Sequence, residues 1–144
     1  MTVPGCTFCA IAAGDIPATM VLRDDNVAAF LDARPVFKGH VLIVPRAHVP
    51  TLSDMPAGEL GTLFAAVQRV ARAVESGLGA DGTFVAMNNK VSQSVPHLHV
   101  HVVPRRKKDG LRGFFWPRVA YADDAEREAF AEKIRGAIVR STDE

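Results

Sequence analysis

The clearest periodicity in the chain runs from Leu60 to Val74. Leu60, Leu63, Phe64, Val67, Val70, Ala71 and Val74 recur there at three- and four-residue spacing. That spacing draws one apolar stripe and predicts a long central helix facing a core. Ser53 or Asp54 is the candidate cap for its start, and the Gly77–Gly79 region is expected to end it. Elsewhere the pattern shortens. "CTFCAIAAGDIPA" reads as a short helix ended by Gly14 and stopped by Pro17. "MVLRD" and "NVAAFLDA" read as two strands about a tight Asp24-Asp25 turn. A loop bounded by Pro35 and Gly39 feeds "HVLIVPR", a β-branched apolar run that predicts a buried strand. "GTFVAMNN" and "VPHLHVHVVPR" predict two more strands. A C-terminal helix is expected from Asp124 to Val139, with Phe130, Ile134, Ala137 and Ile138 facing inward. Strands in runs with one long helix between them predict an α+β fold with a largely antiparallel sheet.

Composition narrows the class without changing that picture. At 144 residues with no internal repeat or low-complexity linker, residues 1–144 are expected to form a single domain with a sizeable core. Hydrophobic residues make up 48% and the formal net charge is +1, so nothing in the total points to a nucleic acid or a membrane as partner. "MTVPGCTFCA" lacks a basic segment followed by an apolar run, so no secretory signal is expected and the cytoplasm is the default. "PRRKKDGLRGFFWPR" (104–118) carries six basic residues and three adjacent aromatics. It reads as a solvated turn with an aromatic plug, or as a segment beside a phosphate-bearing ligand.

The candidate chemistry is concentrated in "HLHVH". On a strand, His97, His99 and His101 share one face while Leu98, Val100 and Val102 point to the other, toward a core. Packing alone does not explain three imidazoles on one face. They suit a catalytic metal with an open position. They equally suit a nucleophilic imidazole attacking phosphorus, available in its neutral form at pH 7. A third option joins part of the cluster to Cys6 and Cys9, the only cysteines, in a structural zinc site needing four ligands. A Cys-x-x-Cys pair in a cytosolic protein is more often metal-binding or redox than a structural disulfide. No strand leads into this pair as a thioredoxin-like unit would require.

"HLHVHVV" resembles the His-φ-His-φ-His-φ-φ signature of the histidine triad (HIT) superfamily of nucleotide hydrolases and transferases, here its Hint-like bacterial branch. "FCAIAAGDIPATMVLRDDNVAAFLDARPVFKGHVLIVPRAHVPTL" is similar to the family's N-terminal half, and "MNNKVSQSVPHLHVHVVPR" to its active-site segment. The resemblance covers about residues 6–116. It implies the HIT fold: a largely antiparallel sheet of five to six strands, one long central helix and a C-terminal helix at about 124–139.

By the same resemblance His99 corresponds to the nucleophile that attacks the α-phosphorus and forms a nucleotidyl-histidine intermediate. His101 corresponds to a phosphate-contacting histidine. Gln93 and Ser94 match the pair that binds phosphate and helps protonate the leaving group, and Asn88 an asparagine near phosphate and ribose. Asp32 in "FLDA" matches the acid that holds the ribose hydroxyls. Phe8, Ile11 and Phe30 fall at the base pocket, where they could equally be core. His40 matches a histidine lying behind the site. Members carrying Cys-x-x-Cys resemble related uridylyltransferases in binding zinc, which implies Cys6, Cys9, His48 and His97 as ligands of a structural zinc. The implied substrates are purine nucleotide conjugates: phosphoramidates, adenylates or dinucleoside polyphosphates. The implied assembly is a homodimer, with Trp116 either core or lying across the dimer toward the partner's site. The chain departs from the family in "NNKVSQS", where Lys90, Val91 and Ser92 stand in place of the usual small residues. Two rivals remain at this stage, a nucleotide-binding regulator with incidental catalysis and a metal-dependent hydrolase using the three triad histidines as ligands.

Overall fold

The computed structural model describes residues 2–111 and 118–142. The chain divides into two compact units, Met1–Asp109 and Gly110–Glu144. Trp116 and the aromatic part of the 104–118 segment lie outside the described residues.

The first unit is built on a five-stranded antiparallel sheet. Its strands are β1 (Met20–Arg23), β2 (Val27–Leu31), β3 (Val41–Pro45), β4 (Gly82–Ala86) and β5 (Val100–Arg105), ordered β1-β2-β3-β5-β4. Helix α1 (Thr7–Ala13) precedes the sheet in the chain, and α2 (Leu60–Leu78) connects β3 to β4. With helix and antiparallel strand segregated in this way, the class is α+β, as the sequence predicts.

Two cores explain the strand composition. Val27, Ala29, Val41, Ile43, Leu98, Val100 and Val102 form one cluster with Leu63, Ala66, Val67, Val70 and Val74 of α2. Ala28, Phe30, Leu42 and Val44 form the other with Phe8, Ile11 and Ala12 of α1. Alternate residues of β2 and β3 therefore go to opposite helices. "VLIVP" reads as unbroken apolar sequence because neither of its faces meets water. The β1–β2 turn is fixed by Asp24, whose Oδ1 accepts from the amides of Asn26 (2.8 Å) and Val27 (2.9 Å). Those two bonds hold its carboxyl below the usual carboxylate range.

Four expectations need correction. Helix α2 starts at Leu60, not beside Ser53 or Asp54. The Asp54 carboxylate instead turns back on Thr51, accepting from its amide (3.1 Å) and hydroxyl (2.7 Å), which closes a separate 3-10 turn before Pro56. On α2 itself Phe64 is 38% exposed and Ala66 takes the buried place, so the stripe is narrower than the spacing suggests. Strand β5 begins only at Val100, because Pro96 brings no amide to a ladder and the Leu98 amide goes to the Val49 carbonyl (2.7 Å). In the second unit α3 spans Asp124–Thr142, but Phe130, Ile134 and Ile138 are exposed at 51%, 60% and 58%. Within that unit Phe130 meets the ring of Tyr121.

Two of the basic residues of 104–109, Arg105 and Arg106, serve the fold. Arg105 makes a two-pronged ion pair with Asp109, and Arg106 donates to the last carbonyls of α2, Leu78 (2.7 Å) and Gly79 (2.6 Å). No described helix is long and apolar enough to cross a membrane.

Candidate functional site

The alternation expected of "HLHVH" survives the late start of β5. Leu98, Val100 and Val102 are fully buried in the α2 core, and the three histidines emerge on the α1 side. There they meet different neighbours.

His97 turns toward the first turn of α1. Its Nε2 lies 2.7 Å from the Pro45 carbonyl, so that nitrogen carries the proton and Nδ1 keeps its lone pair. Nδ1 stands 3.4 Å from Cys6 Sγ and 3.5 Å from Cys9 Sγ, while His48 Nδ1 is 3.4 Å from Cys9 Sγ. The four ligand atoms lie within 4.8 Å of one another. Tetrahedral zinc with ordinary bond lengths places sulfur and nitrogen about 3.6 Å apart, so the donor set fits that ion in type, number and spacing. Backbone amides point at both sulfurs, Cys9 N–H at Cys6 (3.4 Å) and Val3 N–H at Cys9 (3.5 Å), an arrangement suited to thiolates. Burial pushes the Cys9 thiol up, an electrostatic cost that a cation in the cluster offsets.

His99 turns the other way. Its Nδ1 is 2.8 Å from the carbonyl of His97, which places the proton on Nδ1 and leaves the lone pair on Nε2. The ring is held edge-on by Phe8, centroids 5.0 Å apart, and the residue is 3% exposed. It borders a cavity of about 520 Å³ whose walls include Phe8, Ile11, Phe30, Asp32, Ser94 and His101. Phe8, Ile11 and Phe30 are both core and lining, so the two readings of those residues are compatible.

His101 belongs to a relay that fixes its proton. The Val36 amide donates to His40 Nδ1 (3.1 Å), so the proton of His40 is on Nε2. That Nε2 faces His101 Nδ1 at 2.9 Å, which leaves the His101 proton on its own Nε2. Burial, with His99 and His40 nearby, lowers the pKa of His101 to about 4. Burial also lowers that of His40, outweighing Asp32, whose carboxylate is 3.7 Å from His40 Nδ1. Both rings are therefore neutral near pH 7, and the Asp32–His40 approach is not an ion pair there.

Asn88 and Gln93 are directed at backbone and do not line the cavity. Asn88 Nδ2 donates to the Ser92 carbonyl (3.2 Å). Gln93 takes the Lys90 amide on Oε1 (2.9 Å) and donates to the Pro50 carbonyl (2.6 Å). Sequence reasoning missed Thr7, Thr19 and Leu42 as cavity residues, and the Val36 amide and Pro45 carbonyl as the groups that set two tautomers. Leu42 was findable in principle, since it is the cross-strand partner of His101. Backbone groups carry no sequence signal.

The α+β domain thus places an imidazole-edged cavity beside a Cys2His2 cluster. Residues 13–108 match the HIT domain, and the chain belongs to that family. An uncharacterized HIT-like protein of Mycobacterium tuberculosis is 38% identical over 140 residues, 94% of each chain. An adenosine 5'-monophosphoramidase of Schizosaccharomyces pombe is 30% identical over 135 residues, 92% of this chain and 98% of that one. The crystal structure of a zinc-bound histidine triad family protein from Mycobacterium smegmatis superposes with a TM-score of 0.71 at 38% identity, over 92% of this chain and 97% of that one.

Proposed function

We propose that the chain is a nucleotide hydrolase or transferase that cleaves purine nucleotide conjugates at the α-phosphorus through a nucleotidyl-His99 intermediate. The observation that carries this reading is the tautomer of His99, with Nδ1–H spent on a backbone carbonyl and the Nε2 lone pair on a ring that borders the cavity.

The chemistry follows from these placements. The nucleoside lies between Phe8, Ile11 and Phe30, with its ribose hydroxyls on the Asp32 carboxylate, one oxygen of which is already engaged by the Arg34 amide (2.9 Å). His99 Nε2 forms a bond to phosphorus as the bond to the leaving group breaks, and the electron pair of that bond stays on the leaving atom. That atom takes a proton from the Ser94 hydroxyl. His101, neutral with Nε2–H available, donates to a phosphoryl oxygen where charge accumulates. Water then attacks phosphorus, the N–P bond breaks, and the water proton restores Ser94. Two displacements replace one harder step.

Cys6, Cys9, His48 and His97 would hold a structural zinc. Such an ion would tie α1 to the segment that carries the triad, and no chemical step passes through it. The rival in which the triad itself holds a catalytic metal suits the geometry poorly. His97 is turned to the cysteines, and both nitrogens of His40, in the Asp32–His40–His101 cluster, are already engaged.

The test is a panel of adenosine and guanosine phosphoramidates, aminoacyl adenylates and dinucleoside polyphosphates, run with wild type and His99→Ala. Activity on at least one class, lowered by roughly 1,000-fold or more in His99→Ala, is expected. Full activity in His99→Ala overturns the assignment. Tight monophosphate binding with negligible turnover on every conjugate would favour the regulator reading.

A further inference from the structure

A groove of about 380 Å³ opens onto the Cys2His2 cluster, with Cys6 and His48 in its wall. Cys6 is partly exposed there, while Cys9, three residues on, is buried. We propose that Cys6 and Cys9 form a redox-sensitive modification site: a peroxide converts the pair to a disulfide, empties the cluster of metal and loosens the α1 wall of the nucleotide cavity. The inference rests on the zinc ligand set and the nucleotide cavity described above.

The positions of the two sulfurs set the chemistry. An accessible sulfur beside a resolving one is the arrangement that peroxide-sensing thiols use. The Cys9 amide points at Cys6 Sγ from 3.4 Å, and the ligand atoms of the cluster all lie within 4.8 Å of one another. Cys6 and Cys9 are also the only cysteines of the chain, so each is the other's one partner within it.

Disulfide and metal exclude each other. Tetrahedral zinc holds two sulfurs about 3.8 Å apart, whereas a disulfide brings them to about 2.05 Å. The Cys6 thiolate attacks one oxygen of the peroxide, the O–O bond breaks, and Cys6 becomes a sulfenic acid with hydroxide released. The Cys9 thiolate then attacks Cys6 sulfur and displaces a second hydroxide. The sulfur pair loses two electrons, the peroxide gains them, and solvent protons convert both hydroxides to water. His48 and His97 remain as donors, too few for a structural site.

The effect reaches the cavity through α1. Gly14 caps the end of that helix, and the Arg23 guanidinium donates to the Ile11 carbonyl (3.1 Å). The first turn is tied to His48 and His97 through the cluster, and a disulfide closed within that turn cuts the tie. Seven residues are too few to hold a helix unaided. Phe8 and Ile11 of α1 line the cavity, and the Phe8 ring packs edge-on against His99.

Zinc-loaded protein treated with a modest excess of hydrogen peroxide beside a chromophoric chelator tests this. Zinc release is expected in step with loss of two hydrogens from the peptide that holds both cysteines. Dithiothreitol with added zinc should reverse both changes. A 1,3-diketone present during oxidation should mark Cys6 and leave Cys9 unmarked. Amide exchange across Thr7–Ala13 should quicken by roughly 10-fold or more. Affinity for adenosine 5'-monophosphate should fall by roughly fivefold as the binding-competent fraction shrinks. Zinc retained under peroxide, a disulfide joining two chains, or a mark on Cys9 alone overturns the proposal. Unchanged exchange and unchanged nucleotide affinity after disulfide formation overturn the link to the cavity. Untreated protein that fails to bind stoichiometric zinc, or to bind the monophosphate, overturns the readings on which the proposal rests.

Discussion

His40 shows how much of this site is decided by protons on single atoms. Its Nδ1 is occupied by the Val36 amide, so it presents N–H to His101, and His101 in turn can only present N–H to what binds. His40→Ala removes that instruction and lets His101 adopt either tautomer. A fall in kcat of up to roughly 100-fold with KM little changed is expected from steady-state kinetics. A loss confined to KM would contradict a positioning role. The same neutrality makes stability depend on pH. His101 has a folded pKa of about 4 against an ordinary 6.5, so between those values the unfolded chain binds more protons. Stability should therefore fall as pH drops from about 6.5 through about 4, as the lowered pKa of His40 also requires. Urea midpoints across that range check this, and His101→Asn should flatten the slope.

Among the elements, the segment before the triad best explains what sequence could and could not convey. Lys90 and Ser92 have φ of 70° and 60°, a left-handed conformation that costs a side-chain-bearing residue about 1–2 kcal/mol. The chain therefore keeps the backbone conformation that glycine favours without the glycines, held by the bonds of Asn88 and Gln93 to Ser92, Lys90 and Pro50. The departure was visible in "NNKVSQS", but its resolution depends on side chains folding back on backbone, which no spacing encodes. The amphipathic helix and buried strands were legible because periodicity reports which face meets a core. The start of α2 was not, since Asp54 can cap either a helix or a separate turn. Gly39 is a further element-level constraint. Its φ is 97°, and an added Cβ would lie 2.5 Å from Leu78 Cδ1 and 3.2 Å from Pro104 Cγ. Gly39→Ala should destabilise the protein by roughly 1–3 kcal/mol in chemical denaturation. An unchanged midpoint would show that this corner yields easily.

Over the first unit as a whole, the sheet separates two tasks. One face packs on α2 and supplies stability, and the other carries α1, the cavity and the Cys2His2 cluster. The triad could be read from five residues because strand alternation puts its members side by side. Their division of labour needed the tertiary partners Pro45, Cys6, Cys9 and His40, which lie 52, 91, 88 and 61 residues from the histidines they meet. If zinc ties α1 to the triad segment, Cys6→Ser should abolish stoichiometric zinc by metal analysis and lower Tm by roughly 5–10 °C. Its folded fraction should still cleave substrate, because no chemical step uses the ion. Zinc retained in full by Cys6→Ser would contradict the ligand set.

The most direct test of the central claim is mass spectrometry of wild-type protein quenched in neutral denaturant during turnover of an adenosine phosphoramidate. The account predicts an adenylyl adduct on a peptide containing His99, localised to that ring and absent from His99→Ala. An adduct on another residue, or normal turnover by His99→Ala, would contradict it.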